Sequence, residues 1–475
     1  MPVSVGSKRV LLHSAEKGWS LEPAIVQIDG TTIRGIKTHP NAEQITATSH
    51  WFGDDLVTPG FVDAHTHLAL GFIRGRATAS KQLPGNLVED VFFKLEEKIT
   101  PADVGAFSRV GAYECMLAGT TYVWDHYYHG DAVADAMMQV GLTGTVAATL
   151  QDISGPGKND WETNLAFTQA LHGSEYHAQL GITAAIGPHA TDTVSEELWR
   201  KILDLSEKDD LPIHCHVAQS PEEFNRIHGQ YGCTPVDFLR RAGVFENRAA
   251  KHLVHMIYAS QKDLALCRSP EVRLVACPHS QLIFQFPAAY LEWWRNNLNW
   301  AVGTDCAASN DSLRVQAEMR TIATWPMASI SHSLEFNEFR RSPSTIQAQG
   351  LNALRHTLRD EAQRTIPQEK ILNSLFFGCA NGPVAGGRTQ GLTPGGMANL
   401  VVWNWEDPVF WPGQAPLHSL IFSDIQPALK GLMTLGRWRG TLGDVRRSVL
   451  GSSDYKAARR EATERLNNLL DRAGL

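Results

Sequence analysis

The chain has 475 residues, 43% of them hydrophobic and 20% charged, and a formal net charge of −7 at pH 7. That length buries a large core and excludes a single small module. The acidic balance, with no Lys/Arg run long enough to follow a phosphate backbone, argues against nucleic acid and for a small-molecule substrate. Seven cysteines (115, 215, 233, 267, 277, 306 and 379) are odd in number, scattered and free of any C-x-x-C, as expected of reduced thiols in a cytoplasmic protein. The opening MPVSVGSKRVLLHSAEKGWS has no apolar signal region, and no apolar stretch approaches the roughly 18 residues of a membrane span.

In chain order, residues 1–57 read as short strands broken by turns: Arg9-Val-Leu-Leu, Ala24-Ile-Val-Gln-Ile, an Asp29-Gly30 turn, then Thr31-Thr-Ile-Arg-Gly-Ile. Over 58–380 apolar runs alternate with helical stretches: Gly119 to Asp125, Gly181 to Gly187, Leu211 to His216, His252 to His255, Val272 to Ala276 and Trp300 to Asp305. Strand and helix alternating over that length predict a (β/α)8 barrel. Strand texture returns in Gly395 to Asn404 and Gly431 to Gly440. The expected organisation is therefore a composite β-sandwich domain from 1–57 and 381–446, with the barrel of 58–380 inserted in it. A C-terminal helix is expected over 447–475, where Ser452-Ser-Asp offers an N-cap and Leu466, Leu469 and Leu470 repeat at helical spacing.

The most informative stretch is Val57-Thr-Pro-Gly-Phe-Val-Asp-Ala-His65-Thr-His67. Side chains at i and i+2 of a strand leave the same face, so two imidazoles can meet one divalent ion while Thr66 points away. Further candidates end other apolar runs: His189, His216, His255 and Asp305. The C-terminal ends of barrel strands open on one face, where distant positions converge. Three imidazoles and a carboxylate suit Zn²⁺, Fe²⁺ or another borderline divalent ion and leave a position for water.

With these residues in place, the chain resembles the amidohydrolase superfamily, in particular the deaminases and chlorohydrolases that act on purines, pterins and s-triazines. The matching pieces are PGFVDAHTHL (59–68), GPHA (187–190), HCHVAQS (214–220), LVHMIYAS (253–260), GTDCAASNDSL (303–313) and GLTPGGMANLVVWN (391–404). The resemblance implies one divalent ion per chain, zinc first and iron, cobalt or manganese next, held by His65, His67, His216 and Asp305. The run 181–190 has no lysine, which speaks against the carbamylated-lysine, two-metal variety. It further implies His255 beside the attacking water, Asp305 as its proton acceptor, and His189, Gln219 and Asn310 towards the substrate. Relatives of this kind are commonly homodimers or larger.

The chain departs from the family at Gln219, where most deaminases carry the glutamate of His-x-x-Glu. An amide orients groups by hydrogen bonds but cannot shuttle a proton. Ala276-Cys-Pro and Ser280-Gln281 also differ from the usual His-x-Pro and Ser-Asn. The sequence reading therefore favours hydrolysis of a urea, carbamate or thiocarbamate carbonyl, with Gln219 in the catalytic set. Its alternatives are a deaminase or dechlorinase of an N-heterocycle and, in another class, a catalytically silent scaffold of the same fold. Phe284, Phe286, Tyr290, Trp293, Trp294 and Trp300 wall a pocket or fill the core, and Trp293 and Trp294 are not expected to face inward together. His214 reads as a supporting rather than a ligating histidine; His126, His129 and His279 remain open between substrate contact and structure. Cys215 and Cys306 are expected to pack sideways.

Overall fold

A computed structural model describes residues 2–75, 86, 88–284, 286–382 and 391–474, the side chain of Phe284 excepted. Eight parallel strands form one sheet in chain order. They are β1 (Phe61–Thr66), β2 (Thr120–Tyr127), β3 (Thr143–Leu150), β4 (Ile182–Pro188), β5 (Ile213–Val217), β6 (Lys251–His255), β7 (Val272–Ala276) and β8 (Trp300–Val302). Nearly every strand residue is buried, because helices and the strands' own interior side chains cover both faces of a parallel sheet.

Closure of this ring is what assembles the site. The β8 extension meets β1 through a parallel bridge between Thr66 and Asp305. His67 N–H donates to Asp305 O at 2.7 Å, and Asp305 N–H to His65 O at 3.0 Å. Beneath them the buried Asp63 carboxylate accepts from Thr304 N–H (3.0 Å) and Thr304 Oγ1 (2.6 Å). Gly303 is required at the seam: a Cβ there would come within 2.6 Å of His65 O and 2.7 Å of His65 N.

The two chain ends share a second sheet. Its order runs Arg437–Trp438, Leu429–Thr434, Leu400–Trp403, Leu56–Pro59, Val3–Ser14, Gly18–Asp29, Thr32–Thr38, with His50–Trp51 beside Val3–Ser14. Leu56–Pro59 pairs antiparallel with Leu400–Trp403 and leads through Gly60 directly into β1, so the sheet anchors the strand that carries His65. The turn between Gly18–Asp29 and Thr32–Thr38 is Gly30-Thr31, with Gly30 at φ 57. The helix Ser453–Ala473 lies along Pro101–Leu117, tied by Arg109 to Glu461 at 2.5 Å.

Trp293 and Trp294, not expected to face inward together, are 1% and 3% exposed. Their helix, Tyr290–Arg295, is short and wedged between two packing partners: Trp294 lies 6.4 Å from Trp300 of β8, and Tyr290 lies 5.6 Å from Trp325 of the helix Val315–Ala328. Both faces are therefore covered. No helix among the described residues is long and apolar enough to cross a membrane.

Replacing Gly303 with Ala is expected to push β8 from β1 and to displace Asp305 from His65. An overpacked methyl of this kind costs about 1–3 kcal/mol. Zinc affinity measured by chelator competition should fall at least about tenfold while the circular dichroism spectrum is retained.

Candidate metal centre and substrate cavity

The donor atoms at the C-terminal mouth of the barrel are close together. His65 Nε2 is 3.3 Å from His216 Nε2 and 3.5 Å from Asp305 Oδ1, and His67 Nε2 is 3.3 Å from Asp305 Oδ1. Four donors at about 2.0–2.1 Å from a tetrahedral ion would stand about 3.3–3.4 Å apart. These three distances match that spacing and fit a single divalent cation.

Outer contacts aim those lone pairs. His67 Nδ1 bonds His126 O, and His216 Nδ1 bonds His189 O at 2.8 Å. A carbonyl only accepts, so both Nδ1 atoms carry the proton and both Nε2 atoms are free to ligate. His65 Nδ1 lies 2.7 Å from His214 Nε2, and ligation through His65 Nε2 makes Nδ1 the donor. His214 is therefore the support of His65, as its place on β5 suggested. Asp305 Oδ2 accepts from Ser280 Oγ (2.5 Å) and Ser309 Oγ (3.2 Å), which leaves Oδ1 facing the imidazoles.

Burial keeps the imidazoles neutral. It lowers His65 and His189 to about 3 and pushes His126, His214 and His216 well below the usual histidine range. His67 moves up instead: burial depresses it, but the neighbouring Asp305 carboxylate outweighs that effect. Burial raises Asp305, and the His65 and His67 hydrogen bonds overcome this and hold it well below the ordinary carboxylate range. The backbone is strained at the same strand ends: Ala218 (φ 52), His255 (φ 77), Met256 (φ 52) and Asp305 (φ 61) all occupy the left-handed region.

His255 has a ring nitrogen within 4.8 Å of donor atoms of His65 and Asp305, and its ring stacks on His216 at 5.4 Å. Its Nδ1 has no hydrogen-bond partner among the described residues. These donors open into a cavity of about 370 Å³ that His189, Gln219 and His126 also line. His126 is 1% exposed, and neither of its ring nitrogens has a partner among the described residues. His189 Nδ1 lies 3.0 Å from Thr193 Oγ1. Phe92, Phe93, Tyr127, Tyr258, Ile283 and Phe286 form apolar walls, with Phe286 half exposed at the mouth.

This geometry corrects the expectation for Asn310 and places the residues whose roles were open. Asn310 does not line the cavity; its Nδ2 donates to Thr304 O and Glu318 Oε1, both at 2.8 Å, and so braces the turn after β8. His279 is held by Glu318 (2.5 Å) and Thr321 (2.9 Å) and is absent from the lining, as is His129, which precedes the helix Gly130–Val140. Of the aromatics between 282 and 300 only Phe286 lines the cavity among the described side chains; Tyr290, Trp293, Trp294 and Trp300 fill the core. Cys215 is buried against backbone carbonyls, whereas Cys306 lines the cavity beside Asp305.

Sequence reasoning missed the acidic wall of the cavity, including two buried carboxyls, Glu96 and Glu223. Glu223 stands four residues beyond Gln219, in the first turn of the helix Pro221–Tyr231. It accepts from Ala218 N–H (3.0 Å), Gln219 N–H (2.7 Å) and Thr191 Oγ1 (2.5 Å). Glu96 lies in the Lys94-Leu-Glu-Glu-Lys98 run, where nothing distinguishes it from a solvated charge, yet it is only 5% exposed.

The amidohydrolase family model matches residues 56–335. A 5'-deoxyadenosine deaminase of Methanothrix thermoacetophila is 29% identical over 332 residues, covering 68% of this chain and 76% of its own. A 5-methylthioadenosine/S-adenosylhomocysteine deaminase of Moorella thermoacetica is 29% identical over 274 residues, covering 57% of this chain; the match spans 62% of that relative, less than two thirds of its length. Among solved structures, a zinc-bound adenosine deaminase of Xanthomonas campestris superposes with TM-score 0.76 at 21% identity, covering 98% of both chains. The zinc complex of an atrazine chlorohydrolase from Arthrobacter aurescens superposes with TM-score 0.75 at 17% identity, covering 98% of this chain and 100% of its own.

Replacing His214 with Phe, which keeps the stacking on Trp124 and removes the acceptor for His65, is expected to weaken zinc binding about 10–100-fold. Chelator competition measures it, and an unchanged affinity would show that His65 needs no such support.

Proposed function

Because this chain belongs to the amidohydrolase family, we propose that it is a zinc-dependent hydrolase removing an amine, or a halide, from an sp² carbon of a planar N-heterocycle. It is a hydrolase of carbon–nitrogen bonds other than peptide bonds. The observation that carries the reading is the His65/His67/His216 triad, with Asp305 Oδ1 at 3.3 Å from His67 and 3.5 Å from His65, opening into an aromatic-walled cavity. The relatives described above bear names of deaminases of adenosine derivatives and of an atrazine chlorohydrolase, which favour the heterocycle reading over the carbonyl reading drawn from Gln219. It rested on one missing glutamate and took no account of other carboxyls in the cavity. A silent scaffold would have no reason to keep four aimed donors.

A divalent ion in this cluster supplies a lowered water pKa and polarises the carbon under attack. Asp305, adjoining that point, accepts the proton released as water adds. His255 presents a neutral imidazole whose unpaired nitrogen orients the water. His189 and His126 offer ring nitrogens to the heterocycle, and the Phe92, Phe93 and Phe286 side chains cover its apolar parts. No Lys or Arg lines the cavity among the described residues, whereas Glu89, Glu96, Asp192, Glu222 and Glu223 do. Neutral or cationic substrates are therefore favoured over phosphorylated or carboxylated ones.

The purified protein is expected to hold about one zinc per chain and to release ammonia from an uncharged adenosine derivative or an aminated s-triazine, or chloride from a chlorinated one. Phosphorylated analogues should react at least about tenfold more slowly. His216→Ala should lose both the metal and the activity. Release of amine from ureas or carbamates, with none of ammonia or chloride from the heterocycles, would overturn the assignment.

A further inference from the structure

The cavity contains one buried carboxyl that braces no backbone: Glu96, whose side chain meets the Tyr127 phenol. Glu96 follows β1 in the barrel and reaches the mouth from that side, whereas Gln219 follows β5, four strands away around the ring of eight. Glu223, the other buried carboxyl on the wall, already accepts from two backbone amides and the Thr191 hydroxyl, and so serves to hold the loop that carries Gln219. Glu96 has no backbone donor and no cationic partner among the described residues. The Tyr127 phenol, at the end of β2, hydrogen-bonds it; the Tyr128 phenol just beyond β2 and the His67 imidazole just beyond β1 act on it through charge alone.

We propose that Glu96 is the catalytic proton carrier of this chain, supplying from the β1 side of the mouth the carboxyl that Gln219 cannot supply from the β5 side. The proposal rests on the heterocycle reading above and adds the residue that completes it. As water adds to the ring carbon, its proton passes to Asp305 and the Glu96 proton passes to the ring nitrogen. The tetrahedral carbon then collapses. The C–N bond pair leaves with the exocyclic nitrogen, which takes the proton from Asp305 and departs as ammonia. The hydroxyl proton returns to Glu96, leaving a C=O bond and a protonated ring nitrogen. Both acids end in their starting states.

The environment suits this task. Burial raises Glu96 to about 7, against the smaller opposing effects of the Tyr127 phenol and His67. The acid form is thus present at neutral pH and close to balance with its base, where a carrier works best. Because the protonated form starts the cycle, activity governed by Glu96 declines as pH rises through about 7.

The test compares zinc-loaded wild type, Glu96→Gln, Gln219→Glu and the double variant on an aminated heterocycle. Expected are a fall in kcat of about 100-fold or more in Glu96→Gln with unchanged zinc content and KM within a few fold, loss of the alkaline limb near neutrality, and recovery of at least about tenfold in the double variant. A Glu96→Gln enzyme within threefold of wild type, or a double variant no faster than Glu96→Gln, overturns the proposal. Infrared difference spectra of substrate-free wild type against Glu96→Gln should show a protonated carboxyl that titrates near pH 7. Its absence also overturns the proposal. Wild type inactive on every heterocycle but showing that titration would refute the heterocycle reading and leave the acid intact.

Discussion

The whole barrel mouth is organised around one electrostatic problem: three imidazoles and a carboxylate converge in a buried space, with His65 Nε2 3.3 Å from His216 Nε2 and Asp305 Oδ1 at 3.3 Å from His67 and 3.5 Å from His65. Without a cation, the buried His65 and His216 nitrogens meet lone pair to lone pair, while Asp305 draws a proton towards His67. A cation between them turns repulsion into binding, and binding free energy then stabilises the folded state. Everything nearby makes sense as the rigid mounting for that exchange. The carbonyls of His126 and His189 fix two tautomers, His214 fixes a third ring, and Ser280 and Ser309 occupy the outer oxygen of Asp305.

That mounting reaches down into the barrel. Asp305 can meet His65 and His67 only because β8 closes on β1, and the closure depends on the absent side chain of Gly303 and on the Asp63 carboxylate gripping Thr304. β1 in turn continues a strand, Leu56–Pro59, that is held in the sheet made by both chain ends. The left-handed residues Ala218, His255 and Asp305 are the local expression of the same demand: the chain must turn sharply off three strands while keeping its donors aimed inward.

These demands explain what the sequence reveals. Metal donors end apolar strand runs, so His65, His67, His216 and Asp305 stand out where hydrophobic texture stops. β3 contributes no donor and is built of Thr, Gly, Ala and Val, so Thr143–Leu150 carries no chemical signal and escapes a reading led by histidines. Asn310 looks like a substrate group because it follows Asp305 closely, but the turn needs its amide for a backbone carbonyl. Trp293 and Trp294 defeat periodicity because their short helix is covered on both sides. Glu96 is the deepest failure, since its burial comes from tertiary packing of a charged run that looks wet.

The placement of acidic groups in the mouth follows from the same geometry. Arg226 bonds Glu89 at 2.6 Å and Asp192 at 3.0 Å, which neutralises part of the rim charge and joins segments that follow β1, β4 and β5. Glu223 lies deeper and is raised by burial and then by Asp192, while its two oxygens accept from the Ala218 and Gln219 amides and from Thr191. Those bonds tie down the turn beside the metal ligand His216, so its value lies in holding that turn. Gln219 is suited to such a place: its amide adds hydrogen bonds to the wall without adding a further negative charge near Glu223 and Asp192. An acid required for proton transfer is better placed where no backbone depends on its charge, and within this mouth that description fits the β1 side.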